Sequence, residues 1–227
     1  MKRTMATALV LLAAAAAPSQ AALVYGTSAA GELVGSRTEA NLVEGGNYAG
    51  DSLTVAWNIV NSGSFWTYTY SFTGFGSPAI SHFILDLTDE VLDDPALVTN
   101  LSASPGSISL TPTRGTFTGA QPSNPGLAAP ITGIKIDTGN TPDNATFSVT
   151  FRSNQAPVYG DIYFKGGNNS FAYNIGNPLH ASSERISDFV ARPNGTLAVP
   201  EPSSIALVGM GIAGLLGVRF RRRLGRA

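Results

Sequence analysis

The chain has 227 residues, of which 43% are hydrophobic, enough for one folded domain between two terminal segments. Only 13% are charged, and 25 glycines with 14 prolines indicate short strands joined by many turns. Residues 22–200 contain 7 basic and 14 acidic side chains, and this net charge of −7 argues against nucleic acid as a partner. The absence of cysteine excludes disulfides and thiolate chemistry.

The first residues have the three-part layout of a secretory signal peptide. Two basic residues precede an apolar run from Met5 to Ala17, and a small-residue site ends at Ala21. The run is shorter than the roughly 20 residues that a membrane span takes. We therefore expect a signal peptide at 1–21, export through the Sec machinery and cleavage by signal peptidase between Ala21 and Ala22. The ectodomain would then extend from residue 22 to 196.

Alternating polarity predicts the first two strands. Ser52–Val60 alternates apolar and polar side chains, the period of two expected when one face of a strand is buried. Phe65–Thr73 places aromatic side chains on one face and Thr67, Thr69 and Ser71 on the other. Because turn residues separate these two runs, they predict a hairpin.

Six later runs are separated by turns at roughly the 8 to 12 residue spacing of β-sandwiches. They are Ile80–Leu87, Ser107–Leu110, Gly133–Asp137, Thr146–Arg152, Val158–Lys165 and Ser170–Ile175. Leu101–Pro130 is rich in Ser, Thr, Pro and Gly, which predicts mostly loop or sheet edge. Since no long stretch has helical spacing, we expect an all-β ectodomain, an antiparallel β-sandwich of the jelly-roll or Ig-like kind.

The densest group of carboxylates begins near the end of the third predicted strand. It comprises Asp86, Asp89, Glu90, Asp93 and Asp94. Clustered oxygen ligands suit Ca²⁺, but the spacing matches no EF-hand. The pattern therefore favours a short surface helix from Thr88 to Pro95 over a metal site. A calcium-dependent adhesin module stays an alternative.

Two other possible catalytic sites also lack residues that their chemistry requires. The oxygen-rich segment from Asp137 to Asn144 begins with Asp137-Thr138-Gly139, which copies the triplet of aspartic proteases. The second copy that such an enzyme needs is missing, so an Asx-rich turn between strands is the better interpretation of this segment. His82 and His180 lie far apart without a Gly-x-Ser-x-Gly or HExxH motif. We expect His82 to be a structural histidine, facing solvent or hydrogen-bonded.

No catalytic residue, cofactor or metal ligand is predicted. A glycan-active enzyme is nevertheless kept as an alternative, which would need two facing carboxylates. The candidates are Asp86, Asp137, Asp161 and Glu184. Aromatic side chains could stack on sugar rings, but at strand spacing they are predicted to be core because they bury large areas. These are Trp57, Trp66, Tyr68, Tyr70, Tyr159, Tyr163 and Tyr173.

The last residues combine three unlike features. Pro200, Glu201 and Pro202 lie in a linker at 197–204, and an uncharged run follows at 205–218. A basic tail at 219–227 contains Arg219, Arg221, Arg222 and Arg223. As a helix, residues 203–220 would measure about 27 Å, just enough to cross a hydrocarbon core. Arginines beyond the span predict that the tail stays cytoplasmic while the ectodomain lies outside.

This order of a Pro-Glu-Pro tripeptide, a Gly-rich apolar helix and an arginine cluster resembles the PEP-CTERM sorting signal. The resemblance implies recognition by an exosortase, processing near the tripeptide and a transient stay in the inner membrane. It also implies delivery to the surface of a Gram-negative, polysaccharide-producing cell. We therefore expect a non-enzymatic cell-surface or matrix protein that contacts exopolysaccharide or neighbouring proteins. Phe151–Gly167 resembles a block in exported PEP-CTERM proteins, which adds no activity.

Overall fold

A computed structural model describes residues 23–87, 93–139, 141–143, 146–179 and 182–194. Within these ranges no helix is both long and apolar enough to span a membrane. The expected signal peptide, Ala22, the linker from residue 197, the span at 205–218 and the arginine tail lie outside the described residues. Those predictions therefore stay predictions.

The described residues form thirteen strands joined by turns and short 3₁₀ segments. The strands are β1 (Val34–Thr38), β2 (Leu42–Gly45), β3 (Thr54–Asn61), β4 (Trp66–Thr73), β5 (Ile80–Asp86), β6 (Thr99–Ser104), β7 (Ser109–Phe117), β8 (Ile131–Gly139), β9 (Phe147–Ser153), β10 (Pro157–Gly160), β11 (Ile162–Gly166), β12 (Phe171–Asn174) and β13 (Val190–Pro193). The all-β prediction is confirmed.

Two large sheets and one small ribbon contain all of these strands. A five-stranded sheet has the order β1-β3-β4-β9-β6, and a six-stranded sheet has the order β2-β12-β11-β5-β8-β7. Strands β10 and β13 form the ribbon, and every strand pair in the three sheets is antiparallel. The residues before β1 extend the ribbon, since the Gly26 amide donates to the Tyr159 carbonyl at 2.8 Å.

Both large sheets contribute to one hydrophobic core, a sandwich-like arrangement. Period-two alternation directs Tyr68, Tyr70 and Phe72 of β4 inward, where none of them is exposed to solvent. Phe72 contacts aromatic rings of three other elements, with centroids 4.8 Å from Phe147 and 5.1 Å from Phe83. Edge-to-face and offset rings of this kind add stabilisation beyond their buried area.

The aromatic candidates are core residues, as expected. Six of them are buried, namely Trp57, Tyr68, Tyr70, Tyr159, Tyr163 and Tyr173, and Trp66 is half-buried against the core. The hydroxyls of two of them are engaged within the protein: the Tyr68 hydroxyl donates to the Gln155 carbonyl and the Tyr70 hydroxyl to the Ala191 carbonyl, both at 2.8 Å.

A second, smaller core lies on the outer face of the six-stranded sheet. The connection between β7 and β8, residues 118–130, folds across this face, and its Leu127 packs in one cluster with Ile84 and Tyr163. Gly126 permits the bend: its φ is +73°, and a Cβ there would collide with the Phe171 ring. The six-stranded sheet is therefore covered on both faces.

Several strand boundaries differ from the sequence-based expectation. The β3–β4 hairpin forms in full register, from Thr54 opposite Thr73 to Asn61 opposite Trp66. The single strand expected over Val158–Lys165 is instead two strands in different sheets, divided at Asp161. Strands β1, β2, β6 and β13 were not predicted as strands, although β6 and β7 do occupy sheet edges, as expected for Leu101–Pro130.

Candidate functional site

A polar cleft of about 460 Å³ lies where the 3₁₀ turn after β1, the end of β12 and the segment 182–188 meet. Glu184, Arg185 and Asp188 line it, together with serine hydroxyls and the apolar side chains Ile175 and Leu179. Such a lining offers hydrogen bonds to a small ligand, together with apolar contact from Ile175 and Leu179. The cleft is therefore one concave candidate for binding among the described residues.

The segment 186–189 at the cleft is fixed by hydrogen bonds from the buried side chain of Arg37. Arg37 Nε donates to the Phe189 carbonyl at 2.6 Å, and Nη2 donates to the Ile186 carbonyl at 2.8 Å. The same guanidinium pairs with Glu32 at 3.0 Å and lies 4.7 Å from the Trp57 ring centroid. Arg37 faces inward from β1 and is buried. The contacts just described explain how a cation can occupy a buried position in a strand.

The two carboxylates in the cleft differ in solvent exposure and in hydrogen bonding. Asp188 is buried, and its Oδ2 accepts a 2.5 Å hydrogen bond from Ser183 Oγ. Glu184 is exposed. Of the four carboxylates that the glycan-enzyme alternative named, only Glu184 lines this cleft, and Asp188 joins it although sequence reasoning missed it. No local spacing signals Asp188, because its surroundings are assembled from separate segments.

Asp86 and Asp161 are buried beneath the ribbon and do not face the cleft lining. Asp86 pairs with Arg192 of β13 at 3.0 Å and accepts the Tyr25 hydroxyl at 2.7 Å. Gly160 makes room for this pair, since a Cβ there would collide with the Arg192 guanidinium. Asp161 accepts from Asn174 Nδ2 at 2.7 Å. These contacts indicate a structural role.

His82 is buried under the 118–130 connection, so of the two expectations the solvent-facing one is wrong and the hydrogen-bonded one is confirmed. Its Nε2 lies 3.2 Å from Asn124 Oδ1. Since the amide nitrogen of Asn124 donates elsewhere, to Gln121 Oε1 at 2.7 Å, the imidazole donates to the amide oxygen. Burial, and then the nearby Lys135 ammonium, lower the pKa of His82 to about 4.

Asp137-Thr138-Gly139 ends strand β8, so the turn expected over 137–144 is wrong for these three residues, whereas 141–143 do lie outside any strand between β8 and β9. The strand continues because all three residues pair with neighbouring strands, and Thr138 Oγ1 also donates to the Ile80 carbonyl at 2.8 Å. Asp137 is partly exposed and forms an ion pair with Lys135 at 3.1 Å. A single exposed and paired carboxylate does not provide the coupled pair of an aspartic protease.

The acidic group after β5 is dispersed in the structure. Asp86 is buried with Arg192, whereas Asp94 caps a turn by accepting from the Ala96 amide at 2.8 Å and from Asn154 Nδ2 at 2.7 Å. These hydrogen bonds lower the pKa of Asp94. The expected helix from Thr88, with Asp89 and Glu90, lies outside the described residues. Within those residues no three metal-ligating side chains form a group suited to a metal ion.

Comparison with known proteins finds one match. Residues 198–223 match the family described as the PEP-CTERM protein-sorting motif. The matched range contains the Pro-Glu-Pro tripeptide, the apolar run and the four arginines named above. No curated protein matches the chain, and no solved structure does.

Proposed function

We propose that this chain, whose residues 198–223 match the PEP-CTERM sorting motif, is an exported protein directed to an exosortase and to the cell surface, and that its β-domain is a non-enzymatic structural or binding module. The single observation that carries the proposal is the sorting motif at 198–223, which begins only a few residues after β13. The proposed setting is the surface or exopolysaccharide matrix of a Gram-negative cell.

The ends of the described fold support the proposed removal of both terminal segments. Val24 is buried three residues after the proposed cleavage site at Ala21-Ala22, and Tyr25 donates to Asp86. At the other end β13 pairs with β10 through Pro193. Cleavage at either end would thus remove only residues beyond the ribbon. We infer one β-sandwich, jelly-roll or Ig-like in kind, between two temporary targeting segments.

A variant of the sorting motif tests the proposal directly. Replacing Pro200, Glu201 and Pro202 by alanine removes the two prolines, residues that favour an extended backbone and oppose helix formation. We expect this variant to persist as a longer, membrane-retained form in immunoblots of fractionated cells. Deleting the exosortase should give the same form from the wild-type chain, whereas Pro112→Ala, in exposed strand β7, should leave size and fractionation unchanged. Normal processing of the triple-alanine variant would refute the sorting step.

A glycan-active enzyme is the second candidate because Glu184 and Asp188 line one cleft. Glycoside hydrolysis uses two carboxylates that flank the scissile bond. Incubation of the purified mature protein with exopolysaccharide from its host, followed by measurement of reducing ends, separates the two functions. No new reducing ends are expected of a binding module. New reducing ends that disappear with Glu184→Gln would establish the enzyme.

The calcium-dependent adhesin is the remaining alternative, and a separate measurement tests it. A cation that binds only the folded state raises the melting temperature by mass action. Added Ca²⁺ is expected to leave the melting temperature of the mature protein unchanged. A rise that saturates with Ca²⁺ and is absent with Mg²⁺ would favour the adhesin.

A further inference from the structure

The outer face of the five-stranded sheet is a regular array of hydroxyl groups. Strand pairing fixes which residues share this face, because every second side chain of a strand points to the same side. We call sixteen of these residues of β1, β3, β4, β9 and β6 the hydroxyl face, leaving out Thr99, which lies before the register shift in β6. They are Val34, Ser36, Thr38, Thr54, Ala56, Asn58, Val60, Thr67, Thr69, Ser71, Thr73, Ser148, Thr150, Arg152, Ser102 and Ser104. Eleven of them are serine or threonine.

The hydroxyls stand in rows across the sheet. One row runs through Asn58, Thr69, Thr150 and Ser102, and the next runs through Ser71, Ser148 and Ser104. Neighbouring strands are about 4.8 Å apart, and residues two apart along one strand are separated by roughly 6.6 Å. The result is a grid of short polar side chains on a broad sheet surface.

This face carries almost no charge. About a quarter of the residues of an average protein are charged, which would give about four among sixteen. The hydroxyl face contains Arg152 alone, whose guanidinium lies 4.6 Å from the Phe65 ring centroid, and it contains no carboxylate. The ectodomain around it has a net charge of −7. The carboxylates of the ectodomain therefore lie elsewhere, and the hydroxyl face is an extended surface on which Arg152 is the one charged side chain.

The hydroxyl face is open, whereas the matching face of the other sheet is covered. None of its sixteen residues is buried, while residues 118–130 cover the outer face of the six-stranded sheet. Thr69 and Thr150 share a hydrogen bond of 3.0 Å between their hydroxyls. Among the described residues, the hydroxyls of Thr67, Ser71 and Ser148 have no partner within the protein. These groups are available to an external ligand.

We propose that the hydroxyl face binds an uncharged polysaccharide laid flat across the strands, an inference that rests on the proposed binding-module function. Sugar hydroxyls both donate and accept, as serine and threonine hydroxyls do. Contact between two uncharged hydroxyl surfaces requires no charge to leave water, which would be costly. An acidic polymer would instead meet a domain of net charge −7 with one arginine to attract it. Affinity would come from many weak contacts along one polymer chain.

Two variants of the face and one control test this proposal. Asn58→Glu with Ser102→Glu places exposed carboxylates on either side of the Thr69–Thr150 pair. Thr69→Val with Thr150→Val removes two hydroxyls but keeps β-branched shape, and because both partners are removed it leaves no orphaned group. Ser107→Glu with Thr113→Glu adds the same charge at exposed positions outside the face. Thermal unfolding followed by circular dichroism shows whether each variant is folded.

Mature protein purified from its host is sedimented with regenerated cellulose or curdlan, two insoluble uncharged glucans, and with alginate gel as the acidic polymer. We expect the wild type and the control to bind an uncharged glucan better than alginate. The double-glutamate variant should lose at least tenfold in retention, and the double-valine variant should lose part of it.

Three results would overturn the proposal. Equal retention of the wild type and the double-glutamate variant would place binding elsewhere and leave the module function standing. Failure of the wild type to bind either glucan, or stronger binding to alginate, would remove the uncharged polymer as ligand. A dimer in light scattering that only the face variants lose would make the face an interface between two copies. The sorting-motif experiment measures processing and not polysaccharide binding. A failure of the proposed sorting can therefore be distinguished from each of these three results.

Discussion

The buried ion pair between Asp86 and Arg192 joins the ribbon to the six-stranded sheet. Both side chains are almost fully shielded from water, and the Tyr25 hydroxyl completes the hydrogen bonding of Asp86. Desolvation makes such a pair a weak source of net stability, but losing one partner leaves an uncompensated buried charge. The pair therefore determines the position of β13, the strand from which the sorting tail continues.

Arg192→Met is predicted to lower the free energy of unfolding by roughly 3 to 5 kcal/mol, because Asp86 would stay buried without its counter-charge. Urea denaturation of the mature protein measures the change. Arg185→Met, at an exposed position, should shift stability by less than about 0.5 kcal/mol. Equal small effects of both substitutions would show that the ion pair is not buried in solution.

His82 makes stability depend on pH. Burial lowers its folded-state pKa to about 4, against about 6.5 in the unfolded chain. Between these values the unfolded state binds more protons, so the free energy of unfolding falls as pH drops from 6.5 to 4, by up to about 3 kcal/mol. Asn124, Lys135, Asp137 and Lys165 are the groups that act on the imidazole there.

The imidazole titration can be read directly by NMR in a His180→Gln background, which leaves His82 as the one histidine. A midpoint near pH 4 is expected. His82→Gln should also remove part of the pH dependence of unfolding between pH 6.5 and 4. A midpoint near 6.5 would mean that the 118–130 connection does not cover this side chain.

At the scale of elements, the 118–130 connection is a packed part of the structure. Its Leu127 covers the outer apolar residues of the six-stranded sheet. Leu127→Ala is predicted to cost about 2 kcal/mol through lost burial and the cavity left behind. Leu179→Ala, at a side chain that is 40% exposed, should cost under about 1 kcal/mol. Urea denaturation compares them, and equal costs would contradict the packing of the connection.

Strands whose pattern is local could be predicted from sequence, and strands made by distant partners could not. The β3–β4 hairpin follows from uninterrupted alternation. In β1, by contrast, Arg37 occupies an inward position that contacts with Glu32, Trp57 and the carbonyls of Ile186 and Phe189 make acceptable. Asp161 divides β10 from β11 because Asn174 engages its carboxylate inside the fold. Such tertiary compensation leaves no periodic signal in the sequence.

The candidate cleft could likewise be predicted from the sequence only in part. Glu184 could be named from the sequence as one of several carboxylates, but the fold was needed to bring Asp188 beside it. The hydroxyl face was partly visible, since Thr67, Thr69 and Ser71 alternate with core aromatics in β4. Its extent depends on strand order, which places β1, β3, β9 and β6 around that strand.

At the scale of the whole molecule, a charge-poor β-domain is joined to a sorting motif that begins soon after its last strand. The most direct test is intact-mass and terminal-peptide mass spectrometry of the protein from its native host. We predict an N-terminus at Ala22 and a C-terminus near the Pro-Glu-Pro tripeptide, with the apolar run absent. An unprocessed polypeptide of 23.5 kDa, from Met1 to Ala227 and in the cytosol, would contradict the account.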